Sequence, residues 1–130
     1  MDQGRLMGLN KITDRIIGCA IEVHRNLGPG LLESSYEECL AYEMKQQGLI
    51  FERQKEMPVV YKGVYLPCGY RLDLLVENAV VVEIKAIATV LPVHEAQVIT
   101  YLKLSKCDLG LIMNFNVRTM KEGIKRVVLN

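Results

Sequence analysis

Tyr70-Arg71-Leu72-Asp73-Leu74-Leu75-Val76 and Val80-Val81-Val82-Glu83-Ile84-Lys85 are two apolar runs separated by Glu77-Asn78-Ala79. Runs of this length rich in β-branched residues read as strands, and Glu77-Asn78 is the turn signal between them. Strict alternation puts Tyr70, Leu72, Leu74 and Val76 on one face, with Arg71, Asp73 and Leu75 on the other. In the second run Val80, Val82 and Ile84 share a face, and Glu83 and Lys85 share the opposite one. Charged side chains in so apolar a hairpin are expensive to bury unless something offsets the cost.

The turn decides whether the charges meet. A two-residue loop would set Asp73 across from Val82 and leave Glu83 on the far side. A three-residue loop centred on Asn78, or a bulge, sets Asp73 opposite Glu83, with Cβ atoms about 5 Å apart. The second register is expected. Two carboxylates at that separation repel unless a cation lies between them, and hard oxygen donors suit Mg²⁺ or Mn²⁺. Asp73 and Glu83 would then hold an ion able to polarise a phosphoryl oxygen. Lys85 would orient or deprotonate the attacking water and offset phosphate charge. The competing reading of this D-x₉-E-x-K spacing is an ordinary ion pair across neighbouring strands.

Outward from the hairpin, the periodicity changes. From Asn10 to Leu27 the residues Ile12, Ile16, Ile17, Ala20, Val23 and Leu27 recur at helical spacing, ended by Gly28-Pro29. A second helix is predicted from Leu32 to Gln47, closed by Gly48. Strands are predicted at Ile50–Lys55, Val59–Lys62, Val64–Val76 and Ala79–Ala86, with Pro67 and Gly69 marking an irregularity in the third. Pro92 opens a third helix to Lys106. Leu109–Asn116 is a further strand and Gly123–Leu129 a possible last one. The order ααββββαβ(β) is an α/β or α+β domain, helices flanking a mixed sheet. At 130 residues the chain is expected to be a single domain over 1–130, with 1–8 a loose tail.

Composition limits the classes. Half the residues are apolar and 24% are charged, which excludes a disordered chain. The formal charge is +1, so no global basic field announces a polyanion partner. Residues 81–130, however, carry seven basic against four acidic side chains. The four cysteines are widely spaced without a metal-site pattern. With no signal-like start and no membrane-length apolar run, a cytoplasmic protein with reduced thiols is expected.

These residues carry a resemblance. Asp73 with Glu83-Ile84-Lys85 resembles the core motif of the PD-(D/E)XK nuclease superfamily, although Leu72 stands where a proline often precedes the first carboxylate. Gly30-Leu31-Leu32-Glu33-Ser34-Ser35-Tyr36 is similar to the signature of its GxxExxY family. Glu22-Val23-His24, Gln97-Val98-Ile99-Thr100-Tyr101 and Asn114-Phe115-Asn116-Val117 match further, in the right order. The resemblance implies a nuclease fold and Glu33 as a third acidic member of the metal site. It also implies Gln97 and Tyr101 as substrate-positioning residues, which one helix face would present together.

The function expected is therefore Mg²⁺- or Mn²⁺-dependent cleavage of nucleic acid, DNA more than RNA. The alternatives are a silent nucleic-acid-binding or protein-interaction module on the same fold, and a phosphohydrolase of smaller substrates. So small a domain would grip a duplex as a homodimer, and a near-neutral monomer would bind weakly and with strong salt dependence. Other candidates carry blander readings. Tyr36 and His24 are expected in the core, and Gly28-Pro29-Gly30 as a helix-ending turn. His94 lies in the first turn of the third helix. Tyr61, Tyr65 and Tyr70 alternate with Lys62 and Arg71, and sheet packing is expected over a base-stacking surface.

Overall fold

The long first helix, α1 (Gln3–Leu27), buries Leu9, Thr13, Ile16, Cys19, Ala20, Val23 and His24, one stripe at spacings of three and four. The computed structural model describes residues 2–129, apart from the Cys68 side chain. The helix starts earlier than the apolar stripe, because the Asp2 carboxylate caps it by accepting from Arg5 N at 2.8 Å. Residues 3–8, expected as a loose tail, are its exposed first turns. Gly28 ends it with φ 66°, a conformation glycine adopts without strain.

The helix α2 (Glu33–Gln46) follows, then β1 (Phe51–Tyr61), β2 (Val64–Val76), β3 (Val80–Lys85), α3 (Pro92–Ser105) and β4 (Leu109–Asn114). A short 3₁₀ turn (Met120–Gly123) leads into β5 (Ile124–Val128). The sheet order is β1-β2-β3-β4-β5. Among the described residues only β3 and β4 are parallel, joined by the α3 crossover, and the other neighbours are antiparallel. The mixed sheet flanked by helices is as predicted, and the optional last strand is present. The correction is that Ile50–Lys55 and Val59–Lys62 are one strand. Pro58 does not break β1, because β1 is the edge of the sheet, where a missing N–H costs little. Register slips between Met57↔Tyr70 and Val59↔Leu66, which places the irregularity at Pro67–Gly69 as expected.

Each face of the sheet has its own core. Against α1 and α2 pack Leu74, Val76, Val80, Val82, Ile84, Leu109, Leu111 and Met113. Against Val98 and Leu102 of α3 pack Leu72, Leu75, Val81 and Ile112. The helix lies close over β4: a Cβ on Gly110 would come within 2.8 Å of Val98 Cγ1. Leu72 is the second correction, since alternation put it with Leu74 and it packs on the α3 side instead. The alternation slips at Asp73, where β1 is also irregular: Gln54 has φ 49°, and the β1–β2 register skips the Gln54–Asp73 step. Cys19, Cys39 and Cys107 are free thiols; the expectation for the Cys68 thiol lies outside the described residues. Among the described residues no helix is long and apolar enough to cross a membrane.

Candidate active site

The β2–β3 turn has three residues, Glu77-Asn78-Ala79, with Glu77 and Asn78 both at φ 52° and Ala79 N donating to Val76 O at 3.0 Å. It sets Val76↔Val80, Leu75↔Val81 and Leu74↔Val82, and the next step of that register places Asp73 opposite Glu83. This is the register expected from the sequence. The backbone ladder stops there, and side chains take over. Glu83 Oε1 accepts from Asp73 N at 3.2 Å, and Asp73 Oδ2 accepts from Ile84 N at 2.8 Å. Each carboxylate thus reaches across to the other strand.

Glu83 is 5% exposed, and its carboxyl is pushed up to about 9, by burial first and then by the charge and hydrogen bonding of Asp73. Lys85 acts in the opposite sense but more weakly. The Glu83 carboxyl therefore favours its protonated form beside Asp73. Lys85 is half-buried and forms no ion pair among the described residues. The chain just beyond it is pinned: Phe115 N donates to Lys85 O at 2.9 Å, and the buried Asn114 amide bonds Ile87 N and O.

Glu33 reaches the same end of β3, accepting from Ala86 N at 3.1 Å. It stands at the start of α2, where the helix dipole favours a carboxylate. Tyr36 explains how it is held. Fully buried and stacked on Phe115 at 4.4 Å, Tyr36 donates through its hydroxyl to Gly28 O at 2.5 Å and accepts from Leu31 N at 3.1 Å. The loop before Glu33 is therefore tied to the core, the role expected of a packing residue. Glu33 and Asp73 line one cleft of about 540 Å³ with Glu37, Arg53, Gln54 and Arg71. Among the described residues no group of three or more His, Cys, Asp or Glu side chains is gathered closely enough to hold a metal ion. Asp73 and Glu83 are brought together; Glu33 is in the cleft but not clustered with them.

On the other side, Tyr101 is half-buried, and its hydroxyl is pushed up by burial and then by the charges of Glu83 and Asp73. It meets Tyr70 edge-on at 5.9 Å. Gln97, one turn earlier, is exposed, and its side chain forms no hydrogen bond among the described residues. His24 is buried, with Nε2 2.8 Å from Val117 O, the packing histidine expected. His94 caps its own helix, its Nδ1 accepting from Leu91 N at 2.8 Å. Tyr70 packs as expected. Tyr61 and Tyr65 do not: they flank the turn at the far end of the β1–β2 hairpin and are 57% and 73% exposed.

A polar chain that the sequence did not reveal runs from α2 to Asp73. Arg53 donates to Glu37 Oε2 through Nε at 3.1 Å and Nη2 at 3.0 Å, and to Glu38 Oε1 at 2.8 Å. Gln54 Nε2 donates to Glu37 Oε1 at 2.5 Å and to Asp73 Oδ1 at 3.4 Å. Glu37 is 7% exposed. The available signal was its spacing of three, four and seven from Leu40, Ala41 and Met44, the buried stripe of α2.

The donor set suits a hard divalent cation. Two carboxylates meet, Asp73 Oδ1 takes only a long contact from Gln54 among the described residues, and their repulsion already recruits a proton. No curated protein and no solved structure matches the chain. A family model does, over residues 10–127: that of the PD-(D/E)XK nuclease superfamily.

Proposed function

The chain belongs to the PD-(D/E)XK nuclease superfamily, and from that premise we propose that it is a metal-dependent nuclease cleaving phosphodiester bonds, in DNA ahead of RNA. One observation carries the reading. Asp73 and Glu83 cross between strands where the ladder ends, at such a separation that Glu83 keeps its proton to about 9. A structural ion pair would instead join one of them to Lys85, and none does. A carboxyl buried against a second carboxylate, its titration shifted this far, is the mark of a working site.

Asp73 and Glu83 would hold Mg²⁺ or Mn²⁺, with Glu33 as a third acidic group from the cleft rim. The ion, when bound, polarises a phosphoryl oxygen and stabilises the leaving oxyanion. Glu83 gives up its proton when the cation takes that place. Lys85, with an unpaired ammonium two residues along β3, orients the attacking water and offsets phosphate charge. Gln97 and Tyr101 present amide and hydroxyl from α3 to the substrate backbone. The signature Gly30 to Tyr36 supports the GxxExxY branch, since Tyr36 ties down the loop that delivers Glu33. We further propose a single domain that acts in the cytoplasm as a homodimer.

The test is incubation with Mg²⁺ or Mn²⁺ and end-labelled single- and double-stranded DNA and RNA. Cleavage is expected, abolished by EDTA and by Asp73→Ala or Lys85→Ala. No cleavage of any of the four, or cleavage undiminished in both variants, sinks the mechanism. Retained binding without cleavage favours the silent module instead.

A further inference from the structure

We infer that Gln54 is a positioning residue for the metal site, holding the Asp73 carboxylate against β3 through an amide anchored on buried Glu37. The inference rests on Asp73 being a ligand, and adds a residue outside the motifs that carry the resemblance.

Three observations converge. Gln54 has φ 49° inside a strand, a left-handed conformation that strains an ordinary side chain. This departure lies opposite Asp73, at the one step skipped between Phe51↔Val76 and Met57↔Tyr70. The side chain so placed donates from one nitrogen to Glu37 Oε1 at 2.5 Å and Asp73 Oδ1 at 3.4 Å. Both acceptors are carboxylate oxygens, so the amide end facing them must be the NH₂.

Glu37 is too well satisfied to be a metal ligand itself. Its Oε2 takes two donors from Arg53 and its Oε1 takes Gln54. Burying that carboxylate fixes the amide, and the amide, with Ile84 N on Oδ2, gives Asp73 one donor on each oxygen. A carboxylate has about four acceptor sites, so two remain for a cation. The long 3.4 Å contact orients Asp73 without closing the site. Outer partners of this kind typically contribute about 10–100-fold in metal affinity.

Gln54→Gly separates backbone from side chain, because glycine relieves the left-handed strain while removing the amide. The metal-free variant is expected to melt no lower than the parent. Its Mn²⁺ dissociation constant, by calorimetry at pH 7, is expected to rise about tenfold, and Glu37→Gln to weaken binding in the same direction. The Ile84 backbone amide resonance, which reports its bond to Asp73 Oδ2 two strands away, is expected to shift in metal-free Gln54→Gly. If Gln54→Gly does not fold, Gln54→Asn tolerates the same backbone with an amide one methylene short, and the same shifts are expected. Undiminished Mn²⁺ affinity, or an unmoved Ile84 resonance, overturns the inference. Failure of the parent to bind Mn²⁺ overturns the metal site itself, and the Ile84 resonance then still decides whether Gln54 positions Asp73.

Discussion

At its base, around Gln54 and Asp73, the β1–β2 hairpin lies between helices: Leu72 and Leu75 pack toward α3, while Arg53 and Gln54 bond to α2. At its tip, from Val59 to Leu66, the same two strands carry Val60, Tyr61, Val64, Tyr65 and Leu66 exposed. The tip is the more regular, with Val59↔Leu66, Val60↔Tyr65 and Tyr61↔Val64 in one register. The base is irregular, with a left-handed Gln54 and side chains in place of a ladder rung. A ribbon that only has to pair can be regular. One that must aim Asp73 at a carboxylate on the neighbouring strand gives up regularity, and packing on both sides supplies the stability that allows it.

The largest effect separating the two ends is on cleavage. Asp73→Asn keeps the shape but removes a charge where the strands cross, and is expected to lower the rate by about 10³-fold, equivalent to about 4 kcal/mol. Tyr65→Ser at the tip is expected to change it less than about twofold, in the same gel assay with Mn²⁺. Equal losses in both would mean that the tip grips substrate, and that base and tip serve the reaction alike.

Stability should divide in the same way. Leu72 is fully buried among Val81, Val98, Leu102 and Ile112, and Leu72→Ala is expected to cost about 3 kcal/mol in urea unfolding. Val64→Ala, at an exposed tip position, is expected to stay within about 0.5 kcal/mol. A tip variant as damaging as Leu72→Ala would show that something covers the ribbon in solution.

The pH response belongs to the base alone. Glu83 holds its proton to about 9 in the folded protein, against 4.5 as an ordinary glutamate. From this group, stability is fully present below pH 4.5 and falls as pH rises towards 9, because only the folded state still binds the proton. The melting temperature in EDTA should decline over that window, and Glu83→Gln, a fixed mimic of the protonated acid, should remove the decline. Mn²⁺ should restore stability most at the alkaline end and release close to one proton per ion. A flat profile in the parent would mean that Glu83 is ionised beside Asp73 without help.

What the sequence disclosed follows from the same contrast. Register was legible because a hydrophobic hairpin with a three-residue loop has one pairing that brings Asp73 to Glu83, and Tyr36 because its spacing from Gly30 and Glu33 is local. The side on which Leu72 packs was not legible, since period-two reasoning assumes that no residue slips, and the slip depends on Gln54 across the hairpin. The Glu37–Arg53–Gln54 chain was equally hidden, for it joins residues 16 and 17 positions apart that no single element brings together. The unity of β1 was missed because Pro58 reads as a break until the strand is known to be an edge. The early start of α1 was missed because Gly4 and Gly8 lower helix propensity, while Asp2 supplies the cap.

The smallest expected effect lies at the boundary between base and tip. Arg71 lines the cleft beside Asp73, yet its Nη2 is 3.4 Å from Glu56 Oε1, with both side chains more than half exposed. Such a pair contributes about 0–1 kcal/mol to folding, so Glu56→Gln should leave the melting temperature nearly unchanged. The consequence should appear in binding instead. Freed from Glu56, the Arg71 guanidinium can turn wholly to a phosphate, and a negative charge leaves the approach to the cleft. Affinity for nucleic acid, by fluorescence anisotropy with Ca²⁺ in place of the active ion, should tighten by about two- to fivefold, the worth of an exposed pair. The gain should shrink in high salt, where exposed charges beyond a Debye length are screened. Unchanged affinity at low salt would assign Arg71 to the tip, as a surface cation that only happens to border the site.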